Sequence, residues 1–183
     1  MFVLNNTKEL KPGKSWVDDN GLTHPSNWAT AWSTDEKTAY GIKEVAIQAK
    51  PDDKFYWVDG PALDGTWTST ERSLDDVTKT VDGVSVTTLG LKSQWIIKTK
   101  ETANSLLAPT DWQVVAKAER DRAIDSNVAT YRAAVVAKCA AIEKSITDAS
   151  DLAAFKALFD SPVDSDGKST GNAPMYDWPV LGD

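Results

Sequence analysis

One cysteine, one histidine and no long apolar run set the limits of this 183-residue chain. A single Cys139 excludes an intramolecular disulfide, so stability has to come from a packed core. A chain of 183 residues is long enough for that, because at this size roughly 70% of the extended-state surface is buried on folding. Any Cys–His catalytic pair would have to use both His24 and Cys139, and a zinc site of His and Cys ligands is out of reach. Cys139 falls on the apolar stripe of a helix, where a thiol serves as a small hydrophobe. An activated thiol needs an exposed, electropositive setting instead. His24 precedes Pro25 in a turn-rich segment. The expectation is a protein with no catalytic residues, no cofactor and no metal.

Other absences narrow the partners. Nowhere do about 18 apolar residues run together, so no bilayer-spanning segment is expected. Met1-Phe2-Val3-Leu4-Asn5-Asn6 has neither a basic start nor a long apolar run, so it does not read as a secretory leader. The net charge of −7 opposes nucleic-acid binding, which requires concentrated Lys and Arg to displace counterions. No basic amphipathic helix suggests a membrane surface. Protein or carbohydrate is left as the partner class.

What is present divides into two halves. The first reads as short strands and turns. Ser15-Trp16-Val17 and Leu22-Thr23-His24 flank Asp19-Asn20-Gly21, whose Asn-Gly pair suits a tight hairpin turn. Ser33-Thr34-Asp35-Glu36 is a capping box for a short helix ending near Gly41. Ile42 to Gln48, Phe55 to Val58 and Val84 to Thr87 read as strands, and residues 61–82 as a loop. The second half is helical. Leu91, Trp95, Thr99, Thr102 and Leu106 share one face, and Pro109 ends that run. Thr110-Asp111-Trp112-Gln113 reads as a second capping box, opening a helix to about Arg122. Ser126 is placed to cap the clearest helix, whose Val128, Tyr131, Val135, Cys139, Ile142 and Ile146 recur at the 3.6-residue spacing of one buried stripe. Ser150 starts a last helix with Leu152, Phe155, Leu158 and Phe159. Beyond Asp160, residues 161–171 are polar and linker-like, and an apolar pulse from Met175 to Leu181 follows. The predicted class is α+β: a strand-rich, Trp-rich module over residues 1–88, a helical module over 89–160, and a polar linker with an extended apolar tail over 161–183.

Three motif fragments lead nowhere. Gly167-Lys168-Ser169-Thr170 resembles the end of a phosphate-binding loop, but Pro162 stands where its first glycine belongs. Asp164-Ser165-Asp166-Gly167 resembles the start of a calcium loop, yet Lys168 occupies a ligand position and no closing Glu follows. Asp18-Asp19, Asp52-Asp53 and Asp75-Asp76 could supply glycosidase carboxylates, but adjacent loop aspartates are ordinarily turn and cap residues.

Eight tryptophans are the composition's most unusual feature. Five of them, Trp16, Trp28, Trp32, Trp57 and Trp67, lie in the first half. Short strands need bulky residues to fill a thin core, and Trp also dominates interface hot spots. Trp28, Trp32 and Trp67, with Tyr176, Trp178 and Pro179 of the terminal pulse, are the candidate partner-binding residues. Trp178-Pro179 could dock on a partner or in a groove of its own domain, with Pro179 keeping Trp178 extended.

The run Ala103-Asn104-Ser105-Leu106-Leu107-Ala108-Pro109-Thr110-Asp111-Trp112, then Glu119, then Tyr131-Arg132, and finally Trp178-Pro179, resembles the C-terminal segment of phage tail-fibre assembly chaperones and related virion tail proteins. The resemblance covers about residues 90–183. His24-Pro25-Ser26-Asn27-Trp28 followed by Ser33-Thr34-Asp35-Glu36 is similar to small modules of tail-associated proteins. The long aromatic first half sets this chain apart from the shorter chaperones. Leu106, Leu107, Asp111, Trp112, Glu119, Tyr131 and Arg132 have structural jobs in this reading: Asp111 complements a helix dipole, Trp112 staples two helices, and Glu119 pairs with Arg132. The resemblance implies a virion tail protein made in the host cytoplasm. It would act as a structural adaptor at the fibre or baseplate, in multiple copies, binding other tail proteins. The alternatives are an assembly chaperone not retained in the virion, or a carbohydrate-binding module at the host-facing tip that meets a host glycan.

Overall fold

The computed structural model describes residues 1–182. Asp183, the last residue of the expected tail, lies outside the described residues. An N-terminal region rich in short strands precedes a C-terminal region dominated by long helices. The chain forms two compact units, Met1–Glu71 and Arg72–Asp183.

In the first unit, β1 (Phe2–Leu4) is the centre of an antiparallel sheet between β2 (Lys8–Leu10) and β5 (Ile42–Glu44). β3 (Trp16–Val17) and β4 (Thr23–His24) form the expected hairpin. Its turn is fastened by Asp18, whose Oδ1 accepts the amides of Asn20 and Leu22, both at 2.9 Å. Those bonds hold the Asp18 carboxyl below its ordinary pKa, the Leu22 amide contributing most. Two short helices follow, α1 (Trp28–Ala31) and α2 (Thr34–Ala39). The capping box at α2 is complete: the Glu36 amide donates to Ser33 Oγ, and the Ser33 amide donates to Glu36 Oε2 at 2.7 Å. Leu4, Leu10, Trp16, Trp28 and Ile42 make the core, with Phe2, Ala29 and Trp32 against it. β6 (Tyr56–Asp59) pairs with β7 (Thr68–Glu71).

Two readings of the first half need correction. The strand begun at Ile42 is assigned only to Glu44; Val45 still exchanges hydrogen bonds with Met1 at the end of the sheet, where the chain of β1 begins, and the Gln48 amide turns to the Gly65 carbonyl. The expected loop over residues 61–82 contains β7 and the whole of a further strand, Val77–Val81. Both escaped notice for want of an unbroken apolar alternation: β7 is Thr-Ser-Thr-Glu, with no apolar residue, and in the further strand Lys79 stands between Val77 and Val81.

The second unit opens with β8 (Val77–Val81) and β9 (Val84–Thr88), joined through Asp82 and Gly83 at φ 50° and 78°. Positive φ at both central residues is the turn that matches strand twist. Gly90 then lets the chain enter the first long helix: a Cβ there would meet the Leu74 carbonyl oxygen at 2.4 Å. The Gly90 amide donates to Asp76 Oδ1 at 2.7 Å. α3 (Leu91–Leu107) ends in a 3-10 turn, Ala108–Thr110, at Pro109, and α4 (Asp111–Arg120) follows at once. α5 (Ser126–Asp148) buries Val128, Tyr131, Val135, Ile142 and Ile146, the stripe its spacing predicts, with Cys139 half-buried. Burying side chains of this size contributes about 1.5–3 kcal/mol each. α6 (Leu152–Ala157) buries Leu152 and Phe155.

The helix starts differ from expectation. Thr110 makes no capping box; its hydroxyl donates to the Leu107 carbonyl at 2.8 Å. Gln113 is buried and exchanges hydrogen bonds with Asp125 at 2.8 and 2.9 Å, tying α4 to the start of α5. Ser126 is already helical, after N-cap Asp125. The last helix is capped by Asp151, not Ser150, with the Ala154 amide at 2.8 Å. Residues 161–171 close on themselves: Val163 bridges Ser169, and Asp164 Oδ1 accepts the amides of Asp166 and Lys168. The final segment docks on its own unit. Met175 is buried with its amide on the Leu158 carbonyl at 3.1 Å, and Asp177 pairs with Lys138 at 2.9 Å.

Candidate functional site

A helix end leaves its last carbonyls without intrahelical donors. At the end of α3 these carbonyls belong to Leu106 and Leu107, and α5 supplies the donors. Tyr131 Oη donates to the Leu106 carbonyl at 3.1 Å. One turn position on, Arg132 Nη1 donates to the Leu107 carbonyl at 2.9 Å and to Thr110 Oγ1 at 2.7 Å. The same nitrogen lies 2.9 Å from Asp111 Oδ1, the first residue of α4. A cation here complements both the negative end of α3 and the carboxylate at the next helix start. Leu106, Leu107 and Trp178 pack beside Ala103, Tyr131 and Val135 in one apolar cluster. Leu-Leu, Asp, Tyr-Arg and the tail Trp, far apart in sequence, therefore meet at one corner of the second unit.

Two residues of the series stand apart. Glu119 is exposed on α4, and the partner of Arg132 is Asp111 in its place. Trp112 staples no helices: it is 53% exposed and its ring carries the Arg122 guanidinium at 5.3 Å.

The other candidates fall as follows. Trp28 is wholly buried, its indole donating to the Lys14 carbonyl at 3.0 Å, and offers no surface. Trp32 is half-buried and stacks on Tyr40 at 4.8 Å. Trp67 is half-buried, with its indole on the Gln48 carbonyl. Tyr176 is half exposed, Trp178 and Pro179 half-buried, and Val180 open to solvent. Pro179 and Val180 line a shallow hollow with Tyr131 and Ala134.

His24 lies in the first unit and Cys139 in the second. The imidazole is buried, stacked on Trp16 at 4.3 Å, with Nε2 3.1 Å from Asp18 Oδ2. Burial raises the Cys139 thiol pKa, and its donation to Glu143 at 3.3 Å raises it further. Such a thiol stays protonated and unreactive at neutral pH. Among the described residues no three His, Cys, Asp or Glu side chains are placed to hold a metal ion, and no helix is long and apolar enough to cross a membrane.

Sequence reasoning missed an exposed apolar face of the second unit. In the β8–β9 register, Val77, Val81, Val84 and Val86 share one face with Lys79 and Thr88, while Thr78, Thr80, Ser85 and Thr87 make the other. All four valines are exposed, from 39% to 62%. The Asp82-Gly83 pair was the available signal, because such a turn implies an arm on each side. Trp57, 65% exposed on β6, was also missed as a surface residue. Compared with known protein families, curated proteins and solved structures, the chain matches none.

Proposed function

We propose that this chain is a non-enzymatic structural adaptor of a bacteriophage tail, at the fibre or baseplate, that works by binding other tail proteins. The observation that carries the binding reading is the valine face of the β8–β9 hairpin. An isolated two-stranded hairpin is marginal in water, and this one turns its four valines outward. A partner surface laid over that face would bury them and order the hairpin, and its open strand edges can pair with another chain.

The tail assignment is supported by the residues of the resemblance. Leu106, Leu107, Asp111, Tyr131, Arg132 and Trp178 meet at one corner, where they fasten two helix ends and the terminal segment. A motif whose members cooperate in one packing task fits a scaffold protein. The test is co-purification of the full chain with the fibre and baseplate proteins of the same phage. Wild type retains one of them; Val81→Lys with Val86→Lys loses it while circular dichroism shows the helices intact. Equal retention by both forms, or capture of no tail protein by wild type, contradicts the proposal.

A further inference from the structure

The docked terminal segment and α3 leave a hollow between them that no role described so far uses. Trp95, Lys98, Thr99 and Thr102 recur at intervals of three and four, so they share one face of α3. Met175, Tyr176 and Trp178 complete the lining, and the hollow encloses about 160 Å³. Thr99 and Met175 are buried at its floor, Trp95 and Trp178 are half-buried, and Lys98, Thr102 and Tyr176 are exposed at its rim. Phe159 braces two of the rings, meeting Trp95 at 4.6 Å and Tyr176 at 6.1 Å, both T-shaped.

Size and chemistry select the occupant. A volume of about 160 Å³ is smaller than a small-molecule pocket, roughly 300–1,000 Å³, and suits a single ring carried by a longer ligand. Both threonine hydroxyls are committed: Thr99 Oγ1 donates to the Trp95 carbonyl at 2.8 Å, and Thr102 Oγ1 to the Lys98 carbonyl at 2.9 Å. A sugar seated here would lose water from several hydroxyls and find few partners to replace it. A peptide that binds by strand addition finds no ladder edge, because the lining is a helix face and a segment without strand structure. Proline meets both limits. Its ring is apolar, it has no backbone N–H to satisfy, and aromatic-lined grooves take extended proline-rich segments.

Charge narrows the choice further. Lys98 Nζ lies 4.4 Å from the Trp95 ring centroid and has no carboxylate partner among the described residues. Asp177, between the two tail aromatics, turns to Lys138 at 2.9 Å, and no carboxylate lines the hollow. A carboxylate next to the bound proline would meet Lys98 at the rim. An ammonium ligand, the other common guest of aromatic rings, would be repelled there.

We infer that this hollow docks an extended, acidic proline-rich segment of a partner protein, one proline ring seated among Trp95, Tyr176 and Trp178 and a neighbouring carboxylate on Lys98. The hollow shares no residue with the valine face, so the inference stands apart from the tail reading. The test is calorimetric titration of the full chain with peptides of Pro-Pro-Asp, Pro-Pro-Lys and Ala-Ala-Asp repeats, beside cellotetraose. The expected result is saturable binding, tightest for Pro-Pro-Asp. Thr102→Leu, which fills the hollow from an exposed helix position, weakens that binding at least about tenfold, as loss of a central contact does. Lys98→Glu turns the preference toward Pro-Pro-Lys. Absence of saturable binding overturns the inference, as does binding of Pro-Pro-Lys, Ala-Ala-Asp or cellotetraose as tight as that of Pro-Pro-Asp. So does an unchanged affinity in Thr102→Leu, or an unchanged charge preference in Lys98→Glu, when the variant keeps the wild-type circular dichroism spectrum.

Discussion

Arg132 Nη1 lies 2.9 Å from Asp111 Oδ1, and it reaches that carboxylate while also capping the Leu107 carbonyl at the end of α3. The two partners do not weigh equally. Asp111 is 58% exposed, so the ion pair itself is worth about 0–1 kcal/mol. The bonds from the guanidinium to the Leu107 carbonyl and the Thr110 hydroxyl are partly buried, and bonds to charged groups contribute about 1.5–3 kcal/mol.

Arg132→Ala should therefore destabilise the chain by about 2 kcal/mol, and Asp111→Ala by less than about 1 kcal/mol. Urea unfolding followed by helix circular dichroism measures both. Equal losses would mean that the ion pair, and not the helix cap, is the working contact.

The tail is predicted to be part of the second unit's core. Met175 is buried and Trp178 packs beside Tyr131 and Val135. Trp178→Ala should lower stability by about 3–5 kcal/mol if the indole is as well packed as a core residue, and less in proportion to its remaining exposure. Hydrogen exchange should then speed up at the Met175 amide, which bonds the Leu158 carbonyl. Unchanged exchange there would detach Trp178 from the docking of the tail.

Acid sensitivity has a stated sign. Asp18 and Asp151 are held below the ordinary 3.8 by backbone amides of Leu22 and Ala154, and Glu36 below 4.5 by Ser33. Each folded pKa is depressed, so each contributes stability that is complete above the unfolded value and lost as pH falls through the folded one. Thermal melting should be flat with respect to these groups above about pH 5 and decline below about pH 4. Asp151→Asn should flatten part of that decline, and an unaltered profile would count against the cap.

Cys139 should behave as a core thiol. Its pKa is raised by burial and by Glu143, so alkylation by iodoacetamide in the native chain at pH 7 should be much slower than after denaturation. Native labelling as fast as the unfolded control would reopen the Cys–His reading.

How far the sequence carries the fold depends on the range of the interaction. The Ser33–Glu36 box was legible because all its partners lie within four residues. The α5 stripe was legible because one buried face imposes its own period. The Thr110 box failed for a tertiary reason: Gln113 is claimed by Asp125, twelve residues away. Strand β7 was hidden because it has no apolar residue, and β8 because Lys79 interrupts the alternation of Val77 and Val81. At the candidate site the residue types were legible, but their pairing was not. Whether Arg132 meets Glu119 or Asp111 depends on how the 3-10 turn at Pro109 joins α3 to α4, which sets Asp111 beside the end of α3.

The proposed residence of this chain in a phage tail is open to quantitative mass spectrometry of purified particles. The chain is expected there at a fixed copy number, in stoichiometric ratio to fibre or baseplate protein. Its absence from particles whose producing cells contain it would contradict residence and leave an assembly chaperone.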